Sequence, residues 1–372
     1  MRFLFVCGGT AGHINPALAV AGKLKELLPD AEFLFVGAGR ELEKKLIPAE
    51  GYELKNITIT GFSRKLSPSG IKHNLLMLKH LGHAAKESAK IIEDFGPDAV
   101  IGMGGYVCYP ILKKASELKI PTLMHESNAI PGLTTKILSG TVNRMMVAFP
   151  DFGPEYRKPE NVVCTGTPVR GSFFNLSKAE ARRRLRIPEM PLVVSFWGSL
   201  GAGYMNRITA EIVKLNTISD SFYHIHATGG GEKGTETFLR SLAEQGVIKP
   251  ANTEIRSYID DMGTVMTAAD IIICRAGAST IAELTMLGKA AVFIPSPNVT
   301  NDHQTKNAMA VERAGGGRLI PENECTGDRL FEMVKKLLEK PEEIEAMERA
   351  SKKLGVPDSA MRICSEILAF VN

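Results

Sequence analysis

Apolar residues recur along this chain in short blocks, separated by longer stretches in which they return every three or four positions. The blocks FLFV (3–6), EFLFVG (32–37), DAVIGM (98–103), PTLMH (121–125), RMMVAF (144–149) and NVVCTG (161–166) read as strands, and helical stretches lie between most of them. Apolar strands alternating with amphipathic helices predict a parallel sheet covered on both faces. After TPVRGSF the pattern restarts with PLVVSFWG (191–198), FYHIHATG (222–229), TEIRSYI (253–259), ADIIICRAG (269–277) and AAVFIPS (290–296). The restart predicts a second α/β domain, with the boundary at 166–170, where Pro168 interrupts any regular element. The domains expected are therefore 1–166 and 167–353, followed by a last amphipathic stretch, 354–372, expected to pack back on the first.

Composition narrows the picture. At 372 residues the chain exceeds the usual size of one core, and its 44% hydrophobic fraction can fill two. A formal charge of +4 is far from the concentrated excess of a nucleic-acid binder, so no nucleic-acid partner is expected. The six cysteines are scattered, with neither a CxxC pair nor zinc-site spacing, and read as buried thiols of a reducing cytosol. MRFLFV is too short for a signal-peptide core, and no apolar run nears the roughly 18 residues of a membrane span. A soluble protein, able at most to rest on a membrane, is expected.

Four glycine-rich turns follow predicted strands. FLFVCGGTAGHINPALAVAGKLKEL reads as strand, turn and helix, with Asn15 suited to the N-cap and Pro16 to the first helical position. VVSFWGSLGAGYMN repeats the arrangement, IGMGGYVCYP has three glycines after a strand, and CRAGASTIAEL places Ser279 and Thr280 at a helix start. Such turns aim backbone N–H groups and the positive end of a helix at one point, which favours an anion. None matches GxGxxG or the Walker pattern, and a tight turn needing glycine only for its geometry is the plainer alternative. Two per domain, at strand carboxyl ends, favour a phosphorylated ligand.

Several polar residues are candidates for chemistry. His13 lies where the first glycine turn meets its helix, whose positive end favours a neutral ring; it is either a hydrogen-bonding group of the turn or a general base. Thr280-x-x-Glu283 spells a capping box, yet an acid after a strand-turn-helix unit is also placed to accept from ribose hydroxyls. The run NVTNDHQTKNA (298–308) is either solvated or part of a site. In MHESNAIPG, His125, Glu126 and Asn128 follow an apolar strand directly, where side chains tend to face a ligand. From 61 to 90, six Lys/Arg (64, 65, 72, 79, 86, 90) against one acid, Glu87, flank the apolar cluster 75–78. That stretch is an ordinary amphipathic helix or a surface for an anionic membrane.

Taken in series, GGTAGHINPALAVA, IGMGGYVCYP, HESNAIPGLTTK, GTPVR, GSLGAGYMN, YIDDM, CRAGASTIAEL and NDHQTKNA resemble the MurG family of bacterial N-acetylglucosaminyltransferases over nearly the whole length. The resemblance implies an α/β enzyme of the GT-B fold, two Rossmann-like parallel-sheet domains around a deep cleft. It implies transfer of N-acetylglucosamine from UDP-N-acetylglucosamine to the muramoyl 4-hydroxyl of undecaprenyl-diphospho-N-acetylmuramoyl-pentapeptide, with inversion. The expected setting is peptidoglycan synthesis, cell shape and division. The expected place is the cytoplasmic face of the cell membrane, peripheral to an anionic surface and in the company of other cell-wall synthesis proteins.

By motif, the resemblance makes His13 the catalytic base. It sets Thr10, Ala11, Gly12 and Asn128 against the transferred sugar or the acceptor, and Gly104, Gly105, Tyr106, His125 and Glu126 on the acceptor side. Arg170 and Ser199 fall near the donor diphosphate, and Ile259 at the uracil. Ala278, Ser279, Thr280, Ile281, Ala282 and Glu283 line the nucleotide, with Glu283 on the ribose, and His303 or Gln304 contacts the donor sugar. No DxD triplet occurs, so neither a carboxylate-bound metal nor another cofactor is expected. The chain departs from the commonest family pattern at Ala11, where glycine is usual, at Trp197 and Leu200 in the second glycine turn, and at Cys108 and Tyr109. A UDP-sugar 2-epimerase and a nucleotide-binding protein without catalysis are the rival readings.

Overall fold

A computed structural model describes residues 1–59, 68–150, 155–169, 176–198, 201–247, 250 and 252–371, without the side chains of 68–80 and 300. It resolves two compact units, Met1–Arg170 with Pro357–Asn372, and Gly171–Val356.

The first unit runs β1 (Arg2–Val6), α1 (Ala11–Leu27), β2 (Glu32–Gly37), α2 (Glu41–Ala49), β3 (Glu53–Asn56), α3 (Pro68–Phe95), β4 (Ala99–Gly102), α4 (Cys108–Glu117), β5 (Thr122–Glu126), α5 (Leu133–Leu138), β6 (Arg144–Val147) and β7 (Val162–Cys164). The second runs α6 (Lys178–Leu185), β8 (Leu192–Phe196), α7 (Gly203–Ser219), β9 (Tyr223–Ala227), α8 (Gly231–Glu244), β10 (Thr253–Arg256), α9 (Met262–Ala268), β11 (Ile271–Cys274), α10 (Ala278–Leu287), β12 (Ala291–Phe293), α11 (His303–Arg313), β13 (Gly317–Leu319), α12 (Gly327–Leu338) and α13 (Pro341–Leu354). A last helix, α14 (Ser359–Leu368), belongs to the first unit.

The described strands form one sheet per unit, ordered β3-β2-β1-β4-β5-β6-β7 and β10-β9-β8-β11-β12-β13, and every pairing is parallel. Alternation along β1 shows why these residues make a two-faced sheet. Phe3 and Phe5 pack with Ile14, Leu24, Ile363 and Ile367 on one face, while Leu4 and Val6 pack with Ile92 and Ile111 on the other. Full burial of each such side chain stabilises by about 1.5–3 kcal/mol.

In both sheets the strand order reverses once in the same way, between β1 and β4 and between β8 and β11. Crevices at such reversals, outside the strand carboxyl ends, are where open α/β sheets take ligands. The four glycine turns of the sequence follow these four strands.

Two expectations need correcting here. Helix α1 starts at Ala11 with Thr10 as N-cap, not at Asn15, so Pro16 lies inside the helix. The Thr10 carbonyl already accepts from the N–H groups of His13 and Ile14, closing the first turn early; Pro16 then only leaves the Gly12 carbonyl without its usual donor. The apolar blocks also missed β3 and β13, two edge strands.

Candidate functional site

In the first unit the turn after β1 is built on one peptide group. The Gly8 carbonyl accepts from His13 Nδ1–H at 2.8 Å, and the N–H of the same peptide, on Gly9, donates to Glu43 Oε1 at 2.9 Å. A carbonyl can only accept, so His13 carries a proton on Nδ1, and in the neutral ring the lone pair is then on Nε2. The ring lies against Gly104, where a Cβ would stand 2.8 Å from Nε2, and Gly104 holds a φ of +115°. Only glycine meets both demands. The Gly104 carbonyl in turn accepts from Gly8 N–H at 3.3 Å, joining the turns after β1 and β4.

Around them, Thr10 is exposed, and Ala11 and Gly12 form the first helical turn. Ala11 is helical, so a methyl is tolerated where the family usually has glycine. Gly105 (φ +92°) and half-buried Tyr106 follow Gly104, and Arg40 donates to the Tyr106 hydroxyl at 3.1 Å. Cys108 is buried with its thiol on the Gly104 carbonyl at 3.3 Å, and Tyr109 packs on the core. Both departures are thus absorbed below the turn.

His125 and Glu126, expected on the acceptor side, have their polar atoms turned to partners within the protein. They end β5 and are buried, and buried polar groups need partners. His125 Nε2–H donates to the Gly166 carbonyl at 2.8 Å, and burial holds its pKa below the ordinary histidine value. Glu126 accepts from Asn128 N–H and Nδ2–H, Gly132 N–H and the Thr135 hydroxyl, at 2.6–3.1 Å. Glu126 thereby ties the loop 128–132 and Thr135 to the end of β5.

In the second unit, Ala278, Ser279 and Thr280 open α10 behind the N-cap Gly277, so their N–H groups point out of the strand edge. The capping box expected between Thr280 and Glu283 does not form, because the helix starts three residues earlier than it requires. Glu283 has no hydrogen bond or ion pair among the described residues, and burial raises its pKa to about 7. Ile281 and Ala282 are buried between them. The Ile259 side chain is buried too, so that only its main chain is available to a base. Gln304 Oε1 accepts from Ser296 N–H at 2.9 Å, and His303 precedes it at the start of α11. Trp197 sits in the core at 4% exposure, its indole N–H donating to Thr209 at 3.1 Å and Arg275 lying over its ring. Arg170, Ser199 and Leu200 lie outside the described residues, as do residues 61–67 of the basic stretch.

The sequence reading missed two features. Glu43, fully buried, carries no motif around it; the signal was the pair of glycines at the ends of β1 and β2 that make room for it. A fifth glycine turn, Thr228–Gly231, follows β9, where the sequence pattern shows only a strand end. Among the described residues no cluster of three or more His, Cys, Asp or Glu could hold a metal ion. No described helix is long and apolar enough to cross a membrane.

Residues 3–147 match the glycosyltransferase family 28 N-terminal domain and residues 192–363 the family 28 C-terminal domain. Two parallel sheets with glycine turns at their reversals, matched in this way, define a UDP-sugar-type glycosyltransferase of family 28. A protein of Acetivibrio thermocellus named UDP-N-acetylglucosamine--N-acetylmuramyl-(pentapeptide) pyrophosphoryl-undecaprenol N-acetylglucosamine transferase is 43% identical over 364 residues, 98% of this chain and 96% of its own. One of the same name from Bacillus pumilus is 38% identical, over 98% and 97%. The solved structure of Acinetobacter baumannii MurG is 25% identical over 99% of both chains, with a TM-score of 0.79. The chain belongs to the MurG family. A UDP-GlcNAc 2-epimerase from Neisseria meningitidis, at 16% identity over 99% of this chain and a TM-score of 0.66, shares the fold alone.

Proposed function

We propose that this chain transfers N-acetylglucosamine from UDP-N-acetylglucosamine to the 4-hydroxyl of the muramoyl sugar in a pyrophosphoryl-undecaprenol-linked N-acetylmuramyl-pentapeptide, inverting the anomeric carbon. The observation that carries the reading is the His13 ring: its Nδ1–H is held by the Gly8 carbonyl, so the lone pair on Nε2 is free to take the proton of the attacking hydroxyl. The full-length kinship with transferases of that name supports the choice of substrates.

Each unit has its part. In the first, Thr10, Ala11, Gly12 and Asn128 border the reacting sugar, and Gly104, Gly105 and Tyr106 line the acceptor side. In the second, the α10 N-terminus takes nucleotide phosphate, Glu283 accepts from the ribose, the Ile259 main chain meets the uracil and the Gln304 amide donates to the sugar. Arg170 and Ser199 are assigned to the diphosphate by motif. Backbone N–H groups and helix ends relieve the charge on departing UDP, and no metal is called for. The basic stretch 61–90, part of which is helical in α3, rests on the anionic cytoplasmic face of the membrane, where the lipid-linked acceptor resides and other cell-wall synthesis proteins work.

The test is an assay with radiolabelled UDP-N-acetylglucosamine and a short-chain lipid acceptor, run with a chelator present. Labelled disaccharide-lipid is expected, and no conversion of the nucleotide sugar alone; epimerised sugar without acceptor would instead favour an epimerase. His13→Ala is expected to slow transfer by roughly 10²- to 10⁴-fold while UDP still binds.

A further inference from the structure

The Glu43 side chain is fully buried, and each of its oxygens accepts from a backbone N–H group of a different loop. Oε1 takes the N–H of Gly9 and Oε2 that of Arg40, each at 2.9 Å. The second bond is ordinary: Glu43 is the third residue of α2 and caps it. The first is not needed by any helix. It reaches into the turn after β1, to the peptide whose carbonyl holds His13 Nδ1–H.

The chain makes room for this reach at two places. A Cβ on Gly8 would stand 2.9 Å from Oε1, and one on Gly37 would stand 2.5 Å from Oε2. Gly37 has no positive φ, so turn geometry does not demand glycine there; the carboxylate does.

We propose that Glu43 is a positioning residue for His13, acting through the single peptide Gly8–Gly9. The order is carboxylate, N–H, carbonyl, imidazole N–H. Hydrogen bonds in such a row polarise one another, so an acceptor on the N–H side of a peptide strengthens its carbonyl as an acceptor. The carboxylate thereby fixes the peptide plane, the ring orientation and the tautomer that leaves Nε2 bare. This is the task of the acid in a carboxylate–histidine pair, done here one peptide removed. The inference rests on His13 being the base.

The test uses the full chain in the lipid-acceptor assay with three variants, Glu43→Gln, His13→Ala and the double variant. The amide presents an NH2 to one of the two N–H donors, so it cannot satisfy both. Expected for Glu43→Gln is a fall in kcat of roughly 10- to 100-fold with KM for UDP-N-acetylglucosamine unchanged. The double variant is expected to be no slower than His13→Ala, since Glu43 has nothing to position once the ring is gone. A wild-type kcat in Glu43→Gln, or the same loss repeated on the His13→Ala background, overturns the proposal. Full activity in His13→Ala alone would instead remove the base reading beneath it. Should Glu43→Gln not fold, ¹⁵N NMR of the wild-type imidazole decides: a neutral ring protonated on Nδ1 supports the relay, and one protonated on Nε2 overturns it.

Discussion

Glu283 is the sixth residue of α10, half-buried, with no partner among the described residues to offset its desolvation. Its pKa, raised to about 7 by that burial, has two consequences of opposite sign. Between the ordinary carboxylate value and about 7 the folded state holds a proton that the unfolded state has lost, so stability declines as pH rises through this window. Glu283→Gln should therefore raise stability at pH 8 by about 1–3 kcal/mol, measured by urea denaturation. On the proposed ribose contact, hydroxyls would donate to the ionised form, so UDP should bind more tightly at pH 8 than at pH 6, and calorimetry on Glu283→Gln should show weaker binding with that pH dependence gone. The sequence offered this residue but not its state. Thr280-x-x-Glu283 fits a capping box, and only the helix start at Ala278 shows the carboxylate to be unused. His13 was legible as a candidate because glycines surrounded it. Glu43 was not, since its neighbours Glu41, Lys44 and Lys45 make it look like one more surface charge.

At the scale of elements, the central strands could be read from sequence because both their faces are buried, leaving unbroken apolar runs. The edge strands β3 (ELKN) and β13 (GRL) have no such run; what makes them strands is the ladder to β2 and β12, which a linear pattern does not display. Helix α14 was visible as an amphipathic stretch, but not the surface it covers. Ile363, Cys364 and Ile367 lie fully buried with Val20, Ala21 and Leu24 of α1. Ile363→Ala is expected to cost about 2–5 kcal/mol. Hydrogen exchange should localise the loss to α1 and β1, leaving α10 and β11 protected; uniform loss across both units would contradict it.

For the whole molecule, the two sheets are wired alike, and the turns that read as a ligand signature fall on the strands flanking each reversal. The alternation of strand and helix foretold two parallel sheets, although it could not tell which strands would be neighbours. The basic stretch bears on how such a protein meets its lipid substrate. Lys86 and Lys90 are exposed on the described half of α3, while Ala84, Ile91 and Ile92 of the same helix enter the core. Sedimentation with vesicles containing anionic lipid should show binding that weakens with salt and is absent from zwitterionic vesicles. Reversing both charges, Lys86→Glu with Lys90→Glu, should weaken it about tenfold or more, at roughly 1 kcal/mol per basic group.

The return of α14 to the first unit also governs the order in which the protein can be finished. Residues 171–356 are synthesised between the sheet and the helix that covers one of its faces. A nascent chain leaving the ribosome therefore carries the side of α1 that Ile363, Cys364 and Ile367 cover without that cover until the entire second unit has emerged.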